Sequence, residues 1–138
     1  MIFEESIKVD FTTVSGEAYT NESYSFGDYI TVSTHNNGCY FNNHLRLYES
    51  DSYNGYAVIA STNVVSSLVI NAGYNDSTLE VYGSTDGSTW ELIQSFSTSA
   101  SYAEHTVDLD KTLEYKFIKL DAIGAQIRVL EINVTIVK

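Results

Sequence analysis

Proline is absent from the 138 residues, cysteine occurs once, at Cys39, and only seven side chains are cationic. Without proline there is no proline-rich spacer to divide the chain into units. A lone cysteine excludes an internal disulfide framework, and no grouping of Cys and His has the spacing of a zinc site. Cys39 therefore reads as a small buried hydrophobe. The cations are Lys8, Arg46, Lys111, Lys116, Lys119, Arg128 and Lys138, scattered along the chain against eighteen acidic residues. The net charge of −11 argues against nucleic acid as a partner, because phosphate recognition rests on clustered Lys and Arg. It also disfavours anionic membrane surfaces and would attract cations, calcium among them. No stretch is long and apolar enough to insert in a membrane, and the opening IFEESIKVDF lacks the charged and apolar regions of a signal peptide. No export signal is visible, so a cell-surface or virion location is expected only as part of a larger assembly.

Catalytic signatures are missing as well. His35, His44 and His105 fall in different segments, and there is no Gly-x-Ser-x-Gly, His-Glu-x-x-His or phosphate-cradling glycine loop. Carboxylates are plentiful, yet nothing marks out a pair of the kind glycosidases use. No enzyme is expected.

What the sequence does contain is alternation with a period of two, the mark of half-buried strands. Ser, Thr, Asn, Gly and Tyr are abundant, and hydrophobic residues make up 43%, which suits a globular β-rich chain. Strands are predicted over residues 2–11, 29–34, 45–49, 56–60, 64–71, 79–82, 90–96, 102–109, 115–122 and 127–137. Within the last, Leu130, Ile132, Val134 and Ile136 are predicted to face inward. In residues 114–121, Tyr115, Phe117 and Leu120 compete for the inward face. The only departure from strand and loop is a short turn near residues 61–64. About ten strands, with turn residues every 8 to 12 positions, is the spacing of a sandwich or barrel. With no repeat, low-complexity run or linker, residues 1–138 read as a single all-β domain. Asn21, Asn75 and Asn133 head glycosylation sequons, a pattern short enough to arise by chance.

The clearest local signal is residues 79–93, LEVYGSTDGSTWELI. Here Asp86-Gly87 is a hairpin turn, since glycine accepts positive φ and aspartate tolerates it. This segment resembles the V-x-x-S-x-D-G-x-x-W hairpin of discoidin-like domains, the coagulation factor 5/8 C-terminal type, and of related galactose-binding-like modules. Residues 115–121, YKFIKLD, followed by 127–134, IRVLEINV, are similar to that family's closing strands. The resemblance spans residues 64–137 and implies a jelly-roll β-sandwich. It also implies non-catalytic binding of glycans, lipids or proteins through loops at one end. In that context Trp90 is expected in the core and Asp86 in the turn. The first half of the chain does not match the family's N-terminal loops, which carry ligand contacts and a structural calcium site.

A ligand site is expected in residues 36–44, NNGCYFNNH. Sugar recognition joins an aromatic face to amide and cationic groups for the hydroxyls, and this loop supplies Tyr40, Asn42, Asn43 and His44. Tyr24, Arg46 and Tyr53 are expected to complete it, with Tyr19 and Tyr56 in other loop-like segments. Against this, Tyr40 and Phe41 could equally be strand residues and the asparagines turn-formers. Asp51, Asn54, Asn75 and Asp76 could supply some of the hard oxygens calcium wants, but no fixed-spacing calcium loop is present. The resulting expectation is a non-catalytic carbohydrate-binding or adhesion module. The alternative is a structural protein, such as a phage virion surface or decoration component. Such a protein would form a homo-oligomer through tyrosine-rich or edge-strand interfaces.

Overall fold

The structure, a computed structural model, describes residues 3–36, 38–48 and 55–138. Among them are twelve strands in two six-stranded antiparallel sheets. The first sheet has the order β10 (Ala103–Asp108), β7 (Val65–Gly73), β12 (Ile127–Val137), β5 (Leu45–Leu47) and β4 (Tyr40–Phe41), with β1 (Glu4–Asp10) also on β12. The second runs β2 (Ser23–Phe26), β3 (Ile30–His35), β6 (Tyr56–Ser61), β11 (Phe117–Ile123), β8 (Ser77–Ser84) and β9 (Glu91–Thr98). The architecture is the jelly-roll sandwich expected from the sequence.

Alternation builds the core. Ile30 and Val32 on β3, Ala57 and Ile59 on β6, and Ile118, Leu120 and Ala122 on β11 are buried from the second sheet. They meet Leu68 and Ile70 of β7 and Ile132, Val134 and Ile136 of β12 from the first. Aromatic rings complete one flank of the core: Phe11 packs on Phe26 at 5.6 Å and on Phe41 at 6.0 Å, and Tyr24 meets Phe41 edge-on at 4.9 Å. Cys39 is fully buried, and burial pushes its thiol pKa up.

Three details differ from the sequence expectation. Ser61 ends β6 and only Thr62 and Asn63 bend, while the helical turns are instead 3-10 turns at Phe11–Thr13 and Lys111–Leu113. Each is capped alike: Asp10 accepts from the Thr12 amide at 2.9 Å and Asp110 from the Thr112 amide at 2.9 Å. The hydroxyl of the same threonine donates to the same oxygen at 2.6 Å in each, and these bonds, the hydroxyl one foremost, hold both carboxyls below the usual range. On β11 the inward face is Ile118, Leu120 and Ala122, so Phe117 points outward. Tyr115, just before the strand, is buried across Gly83, where a Cβ would come within 2.9 Å of its ring.

The third difference is on β12. Val129 pairs with Ala72 and Glu131 with the next residue, Asn71, so Leu130 is an extra residue in a β-bulge. Ile127 and Val129 face inward before the bulge, and Ile132, Val134 and Ile136 after it. Leu130, expected inward, is only half-buried. A strict period of two cannot connect position 129 to position 132, and the bulge absorbs the difference.

Candidate functional site

The register of the second sheet sorts its outward-facing side chains into rows. Ser33, Val58, Lys119, Tyr82 and Leu92 form one row, and His35, Tyr56, Asp121, Glu80 and Ser95 the next. Phe117 stands on the other side of the Lys119 row. Lys119 is central: its Nζ lies 4.5 Å from the ring centroid of Tyr82, 5.2 Å from Trp90 and 5.3 Å from Tyr56. The His35 ring stacks on Tyr56 at 4.8 Å with planes 6° apart, and its Nε2 shares a 2.9 Å hydrogen bond with Ser33 Oγ. Burial lowers the His35 pKa, which favours the neutral ring. The Tyr82 hydroxyl donates to Glu80 Oε1 at 2.9 Å. Flat rings, one cation, two carboxylates and an imidazole thus share one open sheet face, and no pocket forms among the described residues.

The β8–β9 hairpin frames this face. Asp86 Oδ1 accepts from the amides of Ser88 at 2.8 Å and Thr89 at 2.9 Å, and from Ser84 Oγ at 3.0 Å. The backbone bonds, with that of Thr89 first, lower its pKa. Gly87 adopts φ +79° directly over the Phe117 ring, so the turn is anchored on the outer face. Trp90 then projects half-buried beside Lys119, where a core position was expected. Tyr115 ties the hairpin down from below, its hydroxyl donating to Glu91 Oε2 at 2.5 Å, which pushes its pKa up to about 12.

The residues singled out from the sequence are distributed differently. Tyr40 and Arg46 come together on the outer face of the first sheet, with the guanidinium 4.7 Å from the Tyr40 ring. His44 is half-buried near them, its pKa lowered to about 4 by burial first and then by Arg128 and Arg46. Asn42 and Asn43 are exposed and shape the turn: the Asn42 amide donates to His44 O and the Asn43 amide to Val14 O, with Asn43 at φ 56°. Tyr24 is elsewhere, on β2 with its ring against Phe41. Tyr53 lies outside the described residues, as do Asp51 and Asn54 of the suggested calcium loop. Asn75 donates to Gln126 O at 3.0 Å. Tyr56 is a strand residue rather than a loop residue. His35, Tyr82 and Lys119 were not singled out, although each alternates with buried neighbours in a strand that is only one-sidedly apolar.

No family model matches the chain, and no curated protein matches it. Solved structures do. A family 29 carbohydrate-binding module variant complexed with mannohexaose matches with a TM-score of 0.62 at 15% identity, over 99% of this chain and 92% of that one. Another structure of a family 29 module gives 0.61 at 15% identity, over 99% and 89%. The K2 cleaved adhesin domain of Lys-gingipain gives 0.58 at 10% identity, over 94% and 99%. The likeness is one of fold. It fits the jelly-roll sandwich expected from the resemblance of residues 64–137.

Proposed function

We propose that residues 1–138 form one non-catalytic carbohydrate-binding domain, related to discoidin-like modules, that takes a neutral glycan on the outer face of its second sheet. The observation that carries this reading is the grouping of Tyr56, Tyr82 and Trp90 around Lys119, beside His35, Glu80 and Asp121. A pyranose offers an apolar face of C–H groups to flat rings, and hydroxyls around its rim to charged and amide groups. Both are present on a single plane. An open face suits a polysaccharide laid along it better than a small molecule enclosed on all sides. A ligand without negative charge suits the two carboxylates of this face. The sandwich is shared with family 29 modules, one of them complexed with mannohexaose, and this supports the ligand class.

A glycan array with calcium, repeated with a chelator, tests the proposal when the Tyr82→Ala/Trp90→Ala double variant is run in parallel. A neutral glycan retained by the wild type and lost by the variant is the expected result. Loss upon chelation would add a calcium requirement. Equal retention by both proteins would show that the aromatic face is not the site.

A further inference from the structure

The chain's only two arginines, Arg46 and Arg128, are direct partners across β5 and β12 on the outer face of the first sheet. Like charges placed opposite one another on neighbouring strands repel. In a protein with eighteen carboxylates such a pair would ordinarily be neutralised. Lys8, Lys111 and Lys138 each do form an ion pair, with Glu131, Glu4 and Glu5. Among the described residues no carboxylate forms a salt bridge with either arginine.

The arginines are instead fixed by neutral groups. Arg128 lies 3.6 Å from the Tyr74 ring centroid, and Arg46 lies 4.7 Å from Tyr40, 5.2 Å from Tyr48 and 5.6 Å from Tyr19. With the Gln126 amide oxygen turned toward them, it accepts from Arg46 Nε at 3.3 Å and Arg128 Nε at 3.2 Å. Arg46 Nη1 donates to Gly38 O at 3.4 Å. The terminal nitrogens of Arg128 make no hydrogen bond to a described residue. Two planar forks are therefore held side by side with their Nε edges occupied, and among the described residues Arg128 keeps its terminal donors to spare.

We propose that this arginine pair, flanked by Tyr40 and Tyr74, is a second binding site that takes the carboxylate of an acidic sugar residue, a uronic acid within a glycan chain. The guanidinium fork matches a carboxylate bidentately, and an anion there removes the repulsion between the two arginines. Tyr74 is 39% exposed, so its ring can meet the sugar face that accompanies the carboxylate. The site lies on the other sheet from the face proposed for neutral glycans and does not depend on it.

The test uses calorimetry on the whole chain with an oligogalacturonate, its methyl-esterified counterpart, and a poly-glutamate of matched charge. The acid glycan is expected to bind at least tenfold more tightly than either of the others, with an affinity that falls as salt is raised. Arg128→Gln is expected to weaken it at least tenfold and Arg128→Lys to fall between, because the charge is kept and the fork is lost. Tyr82→Ala leaves it unchanged. The His44 ring resonance should move as the anion screens the arginines, a local readout that does not depend on affinity. No binding of the acid glycan, equal binding of the ester or of poly-glutamate, unaltered affinity in Arg128→Gln, or loss in Tyr82→Ala would each overturn the proposal.

Discussion

Deleting one residue from a strand normally turns every side chain on one side of the deletion to the opposite face. The β12 bulge predicts an exception. Removing Leu130 leaves Val129 next to Glu131, opposite Ala72 and Asn71, which are themselves consecutive. The alternation then runs without a break from Ile127 to Ile136, and no buried residue changes face. The cost is the packing of a half-buried leucine, about 1 kcal/mol. Removing Lys119 from β11 is the contrast, because that strand pairs without irregularity on both sides. Ile118, fully buried, would swing outward and Phe117 inward. Losing the isoleucine costs about 2–5 kcal/mol and forcing a ring into its place about 1–3 kcal/mol. The sum rivals the whole stability of an ordinary domain, about 5–15 kcal/mol. Urea denaturation of the two deletion variants measures this directly. The Leu130 deletion should keep a cooperative transition close to that of the wild type, and the Lys119 deletion should lose most or all of it. Comparable damage in both would refute the bulge as the element that reconciles the two halves of β12.

Two further outcomes follow from the same structure. Ile118→Ala should cost about 2–5 kcal/mol, whereas Phe117→Ala, one residue away on the outer face, should cost about 1 kcal/mol; equal losses in denaturant would contradict the assigned faces. His44 has a folded pKa of about 4 against an ordinary value near 6.5, so below neutrality the unfolded chain binds the extra proton. Stability should therefore decline as pH falls from about 6.5 to about 4, ahead of the decline from Asp10, Asp86 and Asp110, whose depressed pKa values act lower still. Thermal melts of His44→Gln should show a shallower slope in that window, and an unchanged slope would refute the assignment.

The fold was legible in the sequence wherever alternation ran without interruption, as in β3, β6 and β7. The two short strands β2 and β4 were missed because two residues cannot show a period, and the four of β2, although they alternate, sit in a Ser-, Tyr- and Gly-rich stretch that reads as loop. Leu130 was misplaced because pattern reading assumes an even count between inward positions, and a bulge exists to violate that. The Asp86-Gly87 turn was read correctly, but the position of Trp90 was not. A hairpin motif fixes the turn, whereas the face a flanking side chain takes depends on the register with β11. The aromatic face stayed hidden for a similar reason. Tyr56, Lys119 and the 79–93 hairpin that carries Tyr82 and Trp90 are far apart in sequence, and only the order β6-β11-β8 brings them together. The loop residues Tyr40, Asn42, Asn43 and His44 drew notice because they are contiguous, which is no guide to what a sheet places side by side.

The outermost strand of the first sheet, β10, ends that sheet with a row of exposed positions that includes Glu104, Thr106 and Asp108. If a second copy added itself there in the antiparallel sense about Thr106, each Glu104 would stand opposite an Asp108. Four carboxylates would then line one seam, with like charges facing at both ends. The edge that a free sheet leaves open to runaway stacking is thus guarded by its own side chains. Growth of the sheet through β10 is disfavoured between copies in that register and favoured for a partner that brings positive charge to the seam.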